Sequence, residues 1–508
     1  MKPLNDGRFV VAVLSIACLM SVLLTVAPIR SSVPGAGEYD PWLDWNDDSK
    51  IDMKDVSRVA RAFGTSGENV SKASLMYDSG WLDLRNETGL YCTITHNLNE
   101  SGLQVDAREI TLGWNKTYGE TNGDYAYALV QTSDGGYALA GFTNSFGAGW
   151  SDFWLIKTDA VGNALWNRTY GGTNWDEAHA LVQTTDGGYA LAGWTWSFGT
   201  DSFDFWLVKT DASGNMIWNQ TYGGTSADEA YALVQTSDGG YALAGFTNSF
   251  GAGLADFWLI KTDAVGNALW NRTYGGTLND FAYALVQTTD DGYALAGWTD
   301  PFGVGDADFW LVKTDAVGNA LWNWTYGGTL KDAACALVQT TDGGYAVTGG
   351  TFSFGAGICD FWLVKTDASG SMMWNRTYGG TNHDWAYALV QTSDGGYALA
   401  GLTKSFGAGS EDFWLVKTDA SGNMLWNRTY GGTSDDRAYA LVQTTDGGYA
   451  LTGRTFSFGA DEGDFWLAKT DVESGLAWVD SSANSVTLYR GATDTSWNYV
   501  RVRLWKPR

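Results

Sequence analysis

Residues 221–271 read TYGGTSADEAYALVQTSDGGYALAGFTNSFGAGLADFWLIKTDAVGNALWN, and this stretch returns nearly unchanged on either side of itself. The tetrad Asp-Phe-Trp-Leu begins at Asp152, Asp204, Asp256, Asp308, Asp360, Asp412 and Asp464, a period of 52 residues without an insertion. Trp114, Trp166, Trp218, Trp270, Trp322, Trp374, Trp426 and Trp478 keep the same period. Within one copy, Ala126–Gln131 reads as an inner strand and Tyr137–Phe142 as a second, joined by a hairpin turn at Ser133–Gly136 that needs positive φ. Phe153–Thr158 reads as a third strand and Leu165–Tyr170 as an outer one. The turn between them, Asp159–Asn163, sets Gly162 at a left-handed position.

Short aromatic and β-branched runs between Gly turns, at a period near the roughly 40–50 residues of propeller repeats, predict a four-stranded blade. Phe153 and Leu155 alternate with Trp154 and Ile156, so both faces of the strand are apolar and both must be covered by neighbours. The expected fold is therefore all-β: a seven-bladed β-propeller over residues 113–477. Eight outer-strand copies serve seven blades, so the Trp114 strand is expected to close the last blade beside Phe465–Thr470 and remove the open edges. Residues 74–112 and 478–508 add alternating runs too small to hold separate cores, which predicts one split β-sandwich with the propeller inserted in it.

The N-terminus reads as an address. Lys2 and Arg8 precede the apolar run Phe9–Val26, so residues 1–30 form either a cleaved signal peptide or a membrane anchor. Export agrees with the Asn-x-Ser/Thr sequons at Asn69, Asn86, Asn99, Asn115, Asn167, Asn219, Asn271, Asn323, Asn375 and Asn427, although seven of these are one repeat position. Cys18 lies in the export segment, which leaves Cys92, Cys335 and Cys359. The last two fall on strands separated by a third, beyond the ~4.4–6.8 Å Cα spacing of a disulfide.

In residues 38–66, Asp44, Asn46, Asp48, Lys50, Asp52 and Asp55 occupy positions 1, 3, 5, 7, 9 and 12 of a twelve-residue loop, the spacing that wraps oxygen ligands around Ca²⁺. Ile51 sits at position 8, where such loops tuck an apolar side chain inward, and Val56, Val59, Ala60 and Phe63 predict a helix that stops at Gly64. This segment resembles one loop-helix half of a dockerin, with Ser49 where EF-hand loops carry Gly and Asp55 where they carry Glu. A dockerin has two such halves and only one is found, so a calcium-stapled spacer is the plainer reading.

Composition excludes several functions. With 57 Asp+Glu against 31 Lys+Arg, the formal charge of −26 repels a phosphate backbone, so nucleic acid is not the partner. Four Cys, three His and the lack of CxxC or HExxH spacing argue against zinc or iron–sulfur chemistry. The three His are scattered, and near-identical repeats give every carboxylate the same surroundings, whereas acid–base catalysis needs unlike ones. The chain reads as a binding protein, not an enzyme.

The copies differ mainly in two connections, residues 148–151 and 173–177 and their equivalents, which an up-and-down blade places on one rim. There Trp150, Trp175, Trp194, Trp196, Phe203, Phe281, His383, Trp385 and Arg437 form a candidate ligand-binding face. Asp124, Asp176, Asp228, Asp280, Asp332, Asp384 and Asp436 open the inner strands. They are expected either to ring the channel as a cation site or to bind the N–H groups of nearby Gly turns.

The repeat resembles the propeller repeats of secreted prokaryotic, particularly archaeal, surface proteins, and the flanks resemble a small lectin-type sandwich. The resemblance implies an exported cell-surface or extracellular adhesion protein with a protein or glycan ligand, touching a membrane only through the N-terminal segment. The alternative it implies is a carbohydrate-binding or carbohydrate-active protein. The Asp-x-x-Gly-x-x-x-Trp turn is similar to the tryptophan-docking repeat of quinoprotein dehydrogenases but is one residue shorter between Asp and Gly.

Overall fold

The computed structural model describes residues 74–83, 91–95, 104–109, 112–300, 306–460, 462–470, 474–475, 478–481, 485–489 and 499–506. The export segment at 1–30 and the calcium loop at 38–66, with Asp44, Asn46, Asp48, Lys50, Asp52 and Asp55, lie outside them. The described residues are all-β and fall into two compact units, one of residues 113–469 and one built from the flanks.

Blade 1 consists of Asp124–Gln131, Tyr137–Thr143, Asp152–Thr158 and Ala164–Tyr170, paired antiparallel in that order. Blades 2–6 repeat it, with inner strands Asp176–Gln183, Asp228–Gln235, Asp280–Gln287, Asp332–Gln339 and Asp384–Gln391. Blade 7 takes Asp436–Gln443, Tyr449–Thr455 and Asp464–Thr470 from the end of the array and its outer strand, Leu112–Tyr118, from the beginning. The ring is thus closed by a strand from the far end of the chain, as the surplus copy predicted. The eighth copy, at Trp478, starts a flank strand instead. Gly135 and Gly162 adopt φ of 84° and 79°, as their turns require.

Three interactions repeat around the ring. Each third-strand Phe meets the third-strand Trp of the next blade. Phe153 lies 4.6 Å from Trp206 between ring centroids, and Phe465 lies 4.7 Å from Trp154 across the closing interface. On the uniform rim each inner-strand Gln accepts the turn N–H of the preceding blade. Ser133 N donates to Gln183 Oε1 at 2.9 Å, and Thr445 N donates to Gln131 Oε1 at 2.8 Å across the closure. Inside each blade a buried Lys is clamped by the hairpin turn: Lys157 Nζ lies 2.9 Å from Asp134 Oδ2 and donates to Thr158 O at 2.7 Å. Partial burial would raise the Asp134 carboxyl, but bonds from Thr132 and Lys157 outweigh it and hold the group at about 2.

The repeated sequon has a structural part of its own. Trp154 Nε1 donates to Asn167 Oδ1 at 3.3 Å, and Trp466 does the same to Asn115 at 3.4 Å. Cys335 and Cys359 are free thiols, the first on an inner strand and the second just before a third strand.

Strands from the two flanks pair with each other. Tyr499–Lys506 lies between Ser74–Asp83 and Gln104–Glu109, and Ser485–Tyr489 lies between Tyr91–Thr95 and Trp478–Ser481. Ser474–Gly475 pairs with Arg108–Glu109.

Candidate functional site

Both variable connections of each blade emerge on one rim, where they are tied together. Asp176 N donates to Ser151 O at 2.9 Å, and Ser151 bridges Trp175 in parallel. The equivalent bridges join Ala255 to Asn279 and Cys359 to His383.

The aromatic residues divide into exposed and packed sets. Trp150 is 69% exposed, and its ring stands 5.9 Å from that of Trp175, which stacks on Trp196 at 5.4 Å. Trp150 and Trp175 line a 530 Å³ cleft with Asn122, Asn144 and Glu462. Trp194 is buried, with Phe203 edge-on to it at 4.6 Å, so these two support the loop. Phe281 is half-buried between Phe246 and Trp298. Trp385 is half-buried as well: its ring stacks on His383 at 5.7 Å, and its Nε1 donates to Cys335 Sγ at 3.2 Å.

His383 and Arg437 belong to a larger cavity of 730 Å³, lined also by Asn382, Tyr387, Lys404 and Glu411. Its charges form a triad that occurs at this one junction. The equivalents of Lys404, Glu411 and Arg437 between blades 5 and 6 are Phe352, Cys359 and Trp385. Glu411, 3% exposed, accepts from Arg437 through both Nε and Nη2 and lies 3.0 Å from Lys404 Nζ. Arg437 and Lys404, 28% and 41% exposed, present the cationic side to the cavity. Burial would raise the Glu411 carboxyl, but the bonds from Arg437 and Lys404 prevail and lower it. Burial also lowers the His383 imidazole, with Lys404 adding to the effect.

The seven inner-strand aspartates, Asp124 to Asp436, are all fully buried. Asp176 Oδ2 accepts Gly172 N at 2.8 Å and Ser197 Oγ at 2.7 Å, while Oδ1 accepts the Thr195 hydroxyl. Asp384 repeats the set with Gly380, Ser405 and Thr403. These carboxylates fasten the outer-to-inner turn to the second strand. Gly171 packs closely beside them: a Cβ there would stand 1.8 Å from Asp152 Oδ1, so that buried carboxylate would have to shift.

Sequence reasoning considered aspartates at the channel and passed over the side chains that meet around its axis. Tyr127, His179, Tyr231, Tyr283, Cys335, Tyr387 and Tyr439 occupy one position of successive inner strands and meet around the axis. Tyr127 stacks on His179 at 4.5 Å, His179 meets Tyr231 at 4.9 Å, Tyr231 meets Tyr283 at 4.9 Å, and Tyr439 closes on Tyr127 at 5.0 Å. Two residues nearer the variable rim, the same strands carry Tyr125, Glu177, Glu229, Phe281, Ala333, Trp385 and Arg437. Acidic groups therefore stand at blades 2 and 3 and basic ones at blade 7, where Arg454 lies over Tyr125 at 4.9 Å. Reading the inner strands as aligned columns would have found both rings.

No family model matches this chain. A curated relative, the regulatory protein FlaEY of Caulobacter vibrioides, is 28% identical over 157 residues, and the chain spans 16% of that protein's length. Among solved structures, the Pan2 WD40 domain of Neurospora crassa is 13% identical over 71% of this chain and 95% of its own, with a TM-score of 0.46. Sqt1 of Chaetomium thermophilum is 13% identical over 77% and 100%, with a TM-score of 0.40. A protein of unknown function from Dyadobacter fermentans is 13% identical over 72% and 99%, with a TM-score of 0.41. What assigns the fold is the chain's own strand pairing, which makes it a seven-bladed β-propeller.

Proposed function

We propose that this protein is an exported recognition platform that binds an extracellular protein through the variable rim of its propeller. The observation that carries this reading is the segregation of difference. Columns that join blades are repeated almost without change, whereas the mouth column holds Tyr, Glu, Glu, Phe, Ala, Trp and Arg. Structural need does not require such variety, and recognition does, because a partner is fixed by aromatic anchors and charges placed asymmetrically. The exposed Trp150–Trp175 pair and the Lys404–Glu411–Arg437 cavity supply both.

Export is supported by the basic-then-apolar segment at residues 1–30, and a Ca²⁺-stapled spacer by the loop from Asp44 to Asp55. The flank strands, which pair across the two ends of the chain, are proposed to form the split sandwich.

The test is adhesion of the full chain to its own cell surface and to arrays of extracellular proteins and glycans. Trp150→Ala with Trp175→Ala, and Lys404→Ala with Arg437→Ala, should each weaken retention at least tenfold. Val161→Ser, on the uniform rim and also exposed, should leave it unchanged. Equal retention by all three variants overturns the reading, and specific sugar retention without protein binding favours a lectin.

A further inference from the structure

Glu177 and Glu229 hold the same position on the adjacent inner strands of blades 2 and 3, and each has an aromatic residue directly opposite on the second strand, Trp194 and Phe246. Below them lie the His179 and Tyr231 rings. Tyr231 donates its hydroxyl to Glu229 Oε2 at 2.6 Å. His179 Nε2 is buried, has no hydrogen-bond partner and points toward Glu177, with Oε2 3.8 Å away. The Glu177 and His179 side chains keep 20% and 15% of their surface exposed, so the slot is open at the mouth.

Two carboxylates in largely apolar surroundings repel each other and call for a cation. The groups that act on them are Tyr127, His179, Tyr231, Tyr283 and one another, none of which is cationic, because burial lowers the His179 imidazole to about 3. Arg454 acts on the far side of Tyr127.

We propose that this half of the channel mouth receives an organic cation, an ammonium or guanidinium group, between the Glu177 and Glu229 carboxylates and the Tyr127, His179 and Tyr231 rings. An ammonium or guanidinium carries several N–H donors, for carboxylate oxygens and for an unpartnered imidazole nitrogen, and the ring faces attract its charge. A metal ion fits less well: among the described residues no three donors stand close enough to share one. The excess of acid over base in the whole chain draws cations toward the protein. Without a ligand the pair keeps a proton, since burial and then the Glu229 charge push the Glu177 carboxyl up to about 8. An arriving cation displaces that proton.

This assignment rests on the variable rim being the binding face, and its test does not use the partner. The full chain is titrated with Nα-acetyl-lysine methylamide, Nα-acetyl-arginine amide and cadaverine by calorimetry in two buffers of different ionisation enthalpy, with CaCl₂ and acetamide as controls. The expected result is saturable binding of the cations with release of up to one proton, and affinity rising by up to about tenfold per pH unit below pH 8. Preference for the amino-acid amides over cadaverine identifies a polypeptide side chain as the source, and the reverse a free amine. Glu177→Gln, nearly isosteric, should weaken binding at least tenfold and abolish proton release, and Glu229→Gln should weaken it similarly. No saturable binding to the unmodified chain, binding unaffected by Glu177→Gln, or Ca²⁺ bound in preference with the same proton release each overturns the proposal. Cation binding that persists while the rim variants leave adhesion intact separates failure of the platform reading from failure of this one.

Discussion

If the ring is truly closed, it has no weak interface, and this can be measured. Phe257 and Phe465 are both fully buried. The first packs 4.6 Å from Trp310 between blades 3 and 4, and the second packs 4.7 Å from Trp154 between blades 7 and 1. Truncating a buried Phe to Ala costs about 3–5 kcal/mol, of which the ring–ring contact supplies about 0.5–1.5 kcal/mol. The propeller unit runs from Gly113 to Lys469, 357 residues. At about 2.1 cal/mol/K per residue its unfolding entropy is about 0.75 kcal/mol/K, so a loss of about 4 kcal/mol lowers Tm by about 5 °C. Phe257→Ala and Phe465→Ala should therefore shift the calorimetric transition equally, and both should leave it single. In an open stack of repeats the contact between blades 7 and 1 would carry little energy, because such arrays are held by neighbour terms and fray at their ends. A shift for Phe465→Ala less than half that of Phe257→Ala, or early hydrogen exchange confined to blades 1 and 7, would refute closure through residues 112–118.

Three further outcomes are expected. Gly171→Ala should cost more than about 3 kcal/mol in urea unfolding, because its Cβ lands on Asp152 Oδ1, whereas Gly135→Ala meets open space and should cost only the left-handed strain of about 1–2 kcal/mol. The Asp134 carboxyl is depressed to about 2, so its stabilising effect is complete above the unfolded value near 4 and is lost as pH falls through 2. Lys157→Met should flatten part of that limb, since Thr132 and the Gly136 N–H still hold the carboxyl down, and should lower stability at neutral pH, where the lost effect was complete. Glu411→Gln strands two cations that keep partial access to water, so it should lower stability by about 1–2 kcal/mol in a thermal melt, below the cost of breaking a fully buried pair.

What could be read from the sequence follows from what a linear pattern encodes. The Asp-Phe-Trp-Leu strands were legible because two-sided apolar alternation has few solutions, and closure was legible because eight outer strands do not fit seven blades. The fate of Asp176 and its equivalents was not, because a carboxylate at the head of an inner strand can turn to the axis or back to the Gly turn. Only the placement of Thr195, Ser197 and Gly172 around it selects the second. The aromatic channel was hidden by a bulge: Ala126 pairs with Gly141 and Ala128 with Ala140, which leaves Tyr127 without a partner in the register. Glu177 and Glu229 were missed because large rings drew attention to the rim, although Arg437, which was chosen, stands in their column.

That column is free to vary for a physical reason. The Phe–Trp contacts, the Gln bonds and the Lys–Asp clamps all lie on the second half of the inner strand, on the third strand or on the uniform rim. The first half of the inner strand is held by its backbone and by the buried Asp one residue earlier, so the side chain that follows takes no part in these three repeated contacts; where it meets a neighbouring blade, as Trp385 meets Cys335 and Arg437 meets Glu411, the contact belongs to that junction alone. Duplication of one repeat then yields seven equivalent seats around an axis, and substitution at a seat changes ligand chemistry without touching the contacts that close the ring. Acid at blades 2 and 3, small residues at blade 5 and base at blade 7 are asymmetries that a symmetric ring needs if it is to hold a partner in one orientation. Those differences between copies, more than any feature the copies share, are where the function of this chain should be sought.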